Sequence, residues 1–583
     1  MKNLFKTLIM LTAVFALTGC LNSIDESGFD PKKPNISFSE ESMTIDQNGG
    51  ELQVRLASNL PWRIKSDAAW CSISKDSGLE GTDLVLTIAK NRTRKARVAT
   101  ISAWILADKP VTLTITQDPT PAGISFTYYV KTDGDGLAEG FTWETATTLP
   151  TAMEKAADGD KICVAAGTYT PLTLIPEGET EKERTFEFHS NFTIEGGYPA
   201  DATTGAVADP ANNETIFDGV GNAYHVVVVS ASKGDDVATL KNVTITGGRT
   251  HNKNQTTYRQ AGENLVDVGL GGGLYIGRAR FAMENCRVIG NAGALAAGCY
   301  ISPGAEVTIN RCLFESNAAD SNGGGIWNAG ATVYMYDSVI SKNTSGQQCG
   351  GYYSIDSGGA LTVSRIYNCS FEGNDCTQKA EKRSGGALYI RANSDAVFVN
   401  CSFTGNKAGW GAAISGHGGT GQPSKTTFFN CTFTGNHAAN GGGGLFAYNA
   451  GATITAYNCI ISGNTSDGYA ADAGTLDGVA ATQVKVAHSI LGSSLVDGNG
   501  VSTGASFSFE SMLGTFGIYE GGLTPCFPLI GTNNPAIDGG ISNSELSELA
   551  AYGFNPVINT ELLLKDQNGT QRTKKSIGSY NSK

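Results

Sequence analysis

Asn400-Cys-Ser-Phe-Thr-Gly-Asn406 decides how this chain folds, because the phrase is written seven times. The other copies stand at 285–291, 311–317, 337–343, 368–374, 430–436 and 458–464, and successive copies start 26, 26, 31, 32, 30 and 28 residues apart. Weaker forms flank them at 242–248 and 488–494. A repeat of this length is one supersecondary unit that cannot bury its own apolar face, so the units must stack. In each copy a Cys or Ser stands two residues before an apolar side chain, which is the strand period, and most copies close on a Gly-Asn or Ser-Asn turn. Strands and turns repeating at this interval describe a parallel β-helix, right-handed because parallel crossovers take that hand.

Composition agrees. Gly supplies 74 of 583 residues, nearly twice the usual ~7%, without the Gly-X-Y register of collagen, so the glycines belong to tight corners. Charged residues are 17% and apolar residues 40%, a globular balance. A net charge of −13 with no basic stripe excludes a nucleic-acid partner. Six of the 13 cysteines (Cys286, Cys312, Cys369, Cys401, Cys431, Cys459) share one repeat position. Stacked strands bring such Cα atoms to about 4.8 Å, but their Cβ vectors run parallel, so a reduced column in the core is expected rather than a disulfide ladder. Without paired His or close Cys-x-x-Cys spacing, no metal and no cofactor is assigned. Asn291, Asn317, Asn343, Asn374, Asn406, Asn436 and Asn464 should form an asparagine ladder, with amides bonded from coil to coil.

At the N-terminus, Lys2 and Lys6 precede the apolar run Leu8–Leu17, which ends in Leu17-Thr-Gly-Cys20. The run is too short to cross a bilayer. It resembles a bacterial lipobox, which implies a signal peptide over 1–19, acylation of Cys20 and a lipidated tether over 20–34. Acyl chains contribute about 0.8 kcal/mol per buried CH₂, so anchoring would be stable. Asp25-Glu26 resembles the surface-export signal of Bacteroidetes lipoproteins, implying an outer-membrane lipoprotein that faces the exterior. The membrane partner is then reached through the lipid alone.

Next come short alternating strands: Leu52, Val54 and Leu56, then Leu84, Leu86 and Ile88, then Val111, Leu113 and Ile115. These read as a β-sandwich. Asn59-Leu-Pro-Trp62, Ala69-Trp70-Cys-Ser-Ile-Ser74, Ser77-Gly78, Asn91 with Arg97 and Ile115-Thr-Gln117 resemble a BACON domain over 35–118. That resemblance implies a carbohydrate-associated module, either binding or a spacer; Trp62 and Trp70 themselves read as core.

The β-helix is expected over 124–495. It opens with a strand, an Asp133-Gly-Asp-Gly136 turn and a short amphipathic helix carrying Leu149, Met153, Ala156 and Ala157, placed to cover the first coil's open edge. The stretch 128–171 resembles the opening coil of secreted pectate-lyase-like proteins. Phe-x-x-Asn at 314–317, 371–374, 403–406 and 433–436 alternates with Gly-Gly motifs at 271–274, 323–326, 385–388, 411–414 and 442–445. This pairing resembles the repeats of polymorphic outer-membrane proteins, which are adhesins. Residues 496–583 are expected to form a closing cap. The fold class is all-β, a sandwich followed by a right-handed solenoid.

Coil acids (Glu284, Glu306, Asp320, Asp356, Asp375, Asp395) occupy unmatched repeat positions, and His417 and His437 do not share one. No catalytic residue is therefore assigned, because lyases and glycosidases need carboxylates or a base set around one sugar. Three classes stay open: a surface protein binding glycans, a polysaccharide lyase or hydrolase, and a structural stalk. One feature favours a glycan partner. Past the inward apolar residue of each Gly-Gly motif stand Tyr275, Tyr300, Trp327, Tyr353, Tyr389, Ser415 and Phe446. Strand alternation turns them outward as a column rising about 4.8 Å per coil, suited to stacking on sugar rings. The structural alternative is that they stack on one another or lie under an insertion at 249–268. It is preferred because similar aromatics accompany the motif in the family the repeats resemble and because cross-strand aromatic pairs stabilise by themselves.

Overall fold

A computed structural model describes residues 33–106, 109–250, 257–377, 383–419, 421–492, 498–499, 502–503, 509–540, 560–572 and 575–580. Cys20 and the signal segment lie outside the described residues. The chain divides into two compact units, Met1–Ile124 and Ser125–Lys583.

In the N-terminal unit the described strands form a four-stranded and a five-stranded sheet. Leu56, Leu84 and Leu86 of one and Ile101, Leu113 and Ile115 of the other meet in a fully buried core. Trp62 belongs to that core, with its indole N–H donating to the Glu80 carbonyl at 2.8 Å. Gly78 makes room for it, since a Cβ there would stand 2.5 Å from the ring. Trp70 packs against the same core with the Arg97 guanidinium 4.3 Å above its ring.

Among the described residues, the second unit is a solenoid of three parallel sheets with 13, 12 and 10 strands. One coil shows why the repeated phrase produces it. Ser394–Val399 runs in the first sheet and Ser402–Thr404 in the second. Asn400 makes the corner between them in the left-handed region, at φ 54°. Asn242, Asn285, Arg311, Asp337, Asn368, Asn430, Asn458 and His488 take the same conformation in their coils, with φ between 48° and 58°. Asparagine tolerates that region better than most residues, and this accounts for its place at the head of the phrase. Phe403 then points inward and stacks between Phe371 and Phe433, with centroids 4.8 and 4.6 Å away. Asn406 closes the next corner.

The ladder at that corner is continuous. The Asn406 side-chain oxygen accepts from both the backbone N–H and the amide of Asn374 at 3.0 Å, while its own amide donates to the Phe371 carbonyl and to Asn436 Oδ1. The same set recurs from Asn291 to Asn464. The ladder ends on buried Asp472, whose carboxylate, an acceptor only, takes both donors of Asn464.

The twelve described cysteines are free and buried. In the column, Cys286 and Cys431 backbone N–H groups donate to Cys312 and Cys459 Sγ at 3.5 and 3.4 Å. Burial pushes the thiols of Cys299, Cys369 and Cys376 well up, the last to about 12. Thiol reagents attack thiolates that they can reach. The native protein should therefore react at least about a hundredfold more slowly than the denatured chain, which should titrate as free thiol without reductant. Rapid native labelling, or oxidised cysteines after denaturation, would refute this.

The helix Leu149–Lys155, capped by Thr148, buries Leu149, Ala152 and Met153 against Tyr128 and Val130 of the first coil. The C-terminal segment lies, in its described parts, along the flank of the coils. Asn400, Asn430 and Asn458 amides donate to the Leu562, Leu563 and Ser576 carbonyls. Buried Gln567 bonds Ser370 and Ser402, and Ser579 bonds Thr432. Leu562 and Leu563 cover outward Tyr367, Val399, Phe429 and Tyr457. The corner asparagines, once bonded to each other, still have an N–H to give, and this fixes where the segment lies.

Candidate functional site

The seven column positions do fall in register on the outer side of the third sheet. Tyr275 pairs with Tyr300, then Trp327, Tyr353, Tyr389, Ser415 and Phe446. Consecutive rings touch, with centroids 5.2, 6.1, 4.6 and 5.3 Å apart from Tyr275 to Tyr389. Aromatic contacts of this kind each contribute about 0.5–1.5 kcal/mol beyond area burial.

The exposure expected of the row is not there. Tyr275, Tyr353, Tyr389 and Phe446 are 0–4% exposed and Tyr300 8%; only Trp327 is half-buried. The reason is local. An antiparallel hairpin, Tyr258–Ala261 with Asn264–Asp267, folds back over the top of the row, and the Tyr275 hydroxyl donates to the Leu265 carbonyl at 3.1 Å. Ile175, Val266, Ala296 and Ala329 fill the space around Tyr275 and Tyr300. Cys349 and Ile355 do so around Tyr353 and Tyr389. An ion pair fastens the hairpin, Arg259 to buried Glu183. Burial alone would raise that carboxyl, but Arg259 and the N–H groups of Glu179 and Thr180 outweigh it and hold it at about 2.

The row opens at its far end, at His417, which the sequence reading leaves without a role, and at residues that it does not single out. Ser415 interrupts the aromatic register, and His417 fills the gap. Its ring meets Tyr389 at 4.6 Å and stacks on Tyr448 at 4.2 Å, with Nε2 3.1 Å from Ser415 Oγ. Burial, helped by the Arg391 charge, lowers the His417 pKa to about 3, so the imidazole is neutral at pH 7. Trp410 stacks on Phe446 at 5.3 Å and meets Tyr448 and Tyr469 edge-on. Arg391 bonds the Tyr353 hydroxyl at 3.2 Å and stands over the Tyr389 ring. Trp410, Tyr448, Tyr469, His417 and Arg391 are all partly exposed. Arg391, His417 and Tyr448 share one register position, two residues beyond the column position of their coils. That alignment was available to anyone extending the column by one more outward residue.

The coil acids are placed apart. Glu284 sits between Lys241 and Arg311, Glu306 faces Arg280 at 3.3 Å, and Asp395 faces Arg365 at 2.8 Å. Among the described residues no three His, Cys, Asp or Glu side chains converge to hold a metal. Nor is any described helix long and apolar enough to cross a membrane.

Comparison with known proteins supports the architecture. Residues 35–119 match the viral BACON domain, 325–476 the right-handed β-helix region and 311–329 the Chlamydia polymorphic membrane protein repeat. No curated protein matches the chain. Among solved structures, pectate lyase Pel9A aligns at 13% identity and a TM-score of 0.43, over 79% of this chain and 98% of its own. A rhamnogalacturonan lyase aligns at 13% and 0.24, over 74% and 99%. A protein from Bacteroides thetaiotaomicron aligns at 18% and 0.12, over 18% and 98%. The chain is thus all-β, with an N-terminal BACON-type domain and a right-handed parallel β-helix.

Proposed function

We propose that the protein is a cell-surface lipoprotein, anchored through Cys20, that binds glycans on the flank of its β-helix. The observation that carries this reading is the half-open cluster of Trp410, Tyr448 and Tyr469 beside Arg391. Its rings are held rigid by the buried row behind them. Flat rings with a fixed orientation stack on the apolar face of a pyranose at little entropic cost, and a guanidinium alongside donates to ring hydroxyls. Among the described residues of the upstream coils, the rings of the row are covered apart from half-buried Trp327. Binding is favoured over hydrolysis because three of the coil acids are committed to ion pairs, while a glycosidase needs two carboxylates facing one glycosidic bond. The N-terminal unit would hold the solenoid off the membrane.

Tyr448 and Tyr469 are the members to remove, since neither is fully packed. Their joint replacement by Ala should weaken retention on a bound polysaccharide about tenfold, the loss of two stacking contacts. Both rings also pack on Trp410 and Phe446, so the melting temperature should fall while a single cooperative transition above the assay temperature is kept. Retention equal to that of the parent would reject the site. New unsaturated or reducing ends from the parent protein would replace the reading with a lyase or a hydrolase.

A further inference from the structure

The N-terminal unit carries an apolar rim that its core does not use. Leu79 is 77% exposed and Leu106 80% exposed. With Pro61, Arg63 and half-buried Trp104 they line one cleft of about 640 Å³. Trp104 and Arg63 are paired across adjacent strands, and Ser77–Gly78, leading into Leu79, pairs with Trp62–Arg63 on the other side. Two bare leucines, a tryptophan and an arginine thus sit at one edge of the sandwich. Scattered single leucines on a surface need no explanation, but leucines grouped around an aromatic cleft do.

The position of this rim relative to the chain's entry identifies its partner. The first described residues are tied to the same edge. The Lys33 carbonyl accepts from the Asn59 amide at 2.7 Å, and the Asn35 N–H donates to Asn59 Oδ1 at 2.9 Å. One residue earlier, the Ser58 carbonyl accepts from Gly81 N–H, in the loop that carries Leu79. Asn59 leads directly into Leu60, Pro61 and Trp62. The tether therefore joins the unit beside the rim, and the twelve residues 21–32 reach at most about 40 Å.

We infer that this rim is a membrane-contact surface: Leu79, Leu106 and Trp104 enter the lipid interface while Arg63 and Lys33 meet headgroup phosphates. The inference rests on the anchoring of Cys20 proposed above. Tryptophan at the interface, leucine below it and a long cation reaching up to the phosphates is the arrangement that bilayers favour. Each side chain contributes modestly, so the rim holds an unanchored chain to vesicles only weakly and orients an anchored one.

The test separates the rim from the anchor. The full chain carrying Cys20→Ala is floated with phosphatidylethanolamine–phosphatidylglycerol vesicles, with and without Leu79→Asp and Leu106→Asp. Both leucines are exposed, so the fold should hold, and an unchanged melting curve verifies it. Weak flotation of the Cys20→Ala chain, reduced about tenfold by the two aspartates, supports the rim. A second readout is quenching of tryptophan fluorescence by spin-labelled lipid, which should fall in Trp104→Phe. No flotation of the Cys20→Ala chain, or flotation and quenching indifferent to these changes, overturns the inference. Failure of the anchor itself would appear elsewhere, as an unacylated N-terminal peptide in the mass spectrum of the parent protein.

Discussion

Asn406→Ala should lower the stability of the solenoid by about 4 kcal/mol, read as a fall in the denaturation midpoint at constant slope. The side chain makes four hydrogen bonds at a fully buried position, two accepted from Asn374 and two donated, to Phe371 and Asn436. Ala leaves both Asn374 donors to Asn406 without water or partner, and each orphan costs about 1–3 kcal/mol. Asn406→Asp keeps the shape and the acceptors but cannot donate, and it buries a charge. It should destabilise at least as much as Ala. If both variants shift stability by less than about 1 kcal/mol, the ladder is ornament rather than fastening.

The second large effect lies one strand earlier. Phe403→Ala removes the middle ring of a stack whose members are fully buried and nearly parallel, tilted 9° and 3° to their neighbours. Truncating a packed phenylalanine costs about 3–5 kcal/mol, and the upper end applies where the backbone cannot close the void. Here Phe403 is hydrogen-bonded through its strand to coils on both sides, so little collapse is available. Phe403→Leu should recover more than half of the loss. A variant that unfolds within about 1 kcal/mol of the parent would mean that the stack does not hold the coils together.

Much of this was legible in one dimension because a solenoid repeats its environment. Position two of the phrase is always at the first corner and position seven at the second, so Cys286 and Asn406 could be placed without knowing any long-range contact. The short helix Leu149–Lys155 was legible for a similar reason, since an uncovered first coil demands a lid and the amphipathic stretch supplied it. The aromatic column was right in register and wrong in exposure. Alternation tells which side of a strand Tyr353 takes, but whether water reaches that side depends on the non-repeating hairpin 258–267 and on which side chains, here Cys349 and Ile355, the coil itself places beside the row. The open cluster was missed because Trp410 and Tyr469, although in register with each other through Gly441, stand just before the Gly-Gly motif position. There the intervening coil carries a glycine, and the coil of Tyr469 reads Ala470-Ala-Asp in place of the glycines. The course of the C-terminal segment was equally hidden. Gln567 meets Ser402 across 165 residues, and no periodicity connects them.

The two corners have a consequence for how such a chain can change over generations. Every ladder bond joins a coil to its neighbour through the same donor and the same acceptor, so a whole coil could be duplicated or lost without leaving any rung unmatched. That freedom is not uniform along the molecule. Among the described residues, no C-terminal hydrogen bond reaches the corner residues 285, 311 and 337, whereas the Asn368 carbonyl accepts from Thr524 and the Asn400, Asn430 and Asn458 amides donate to the Leu562, Leu563 and Ser576 carbonyls. Inserting a coil among the latter would displace Asn430 and Asn458 from the carbonyls they meet. Relatives of different length are therefore expected to differ by complete turns on the N-terminal side of Asn368, with the four clasped coils constant in number.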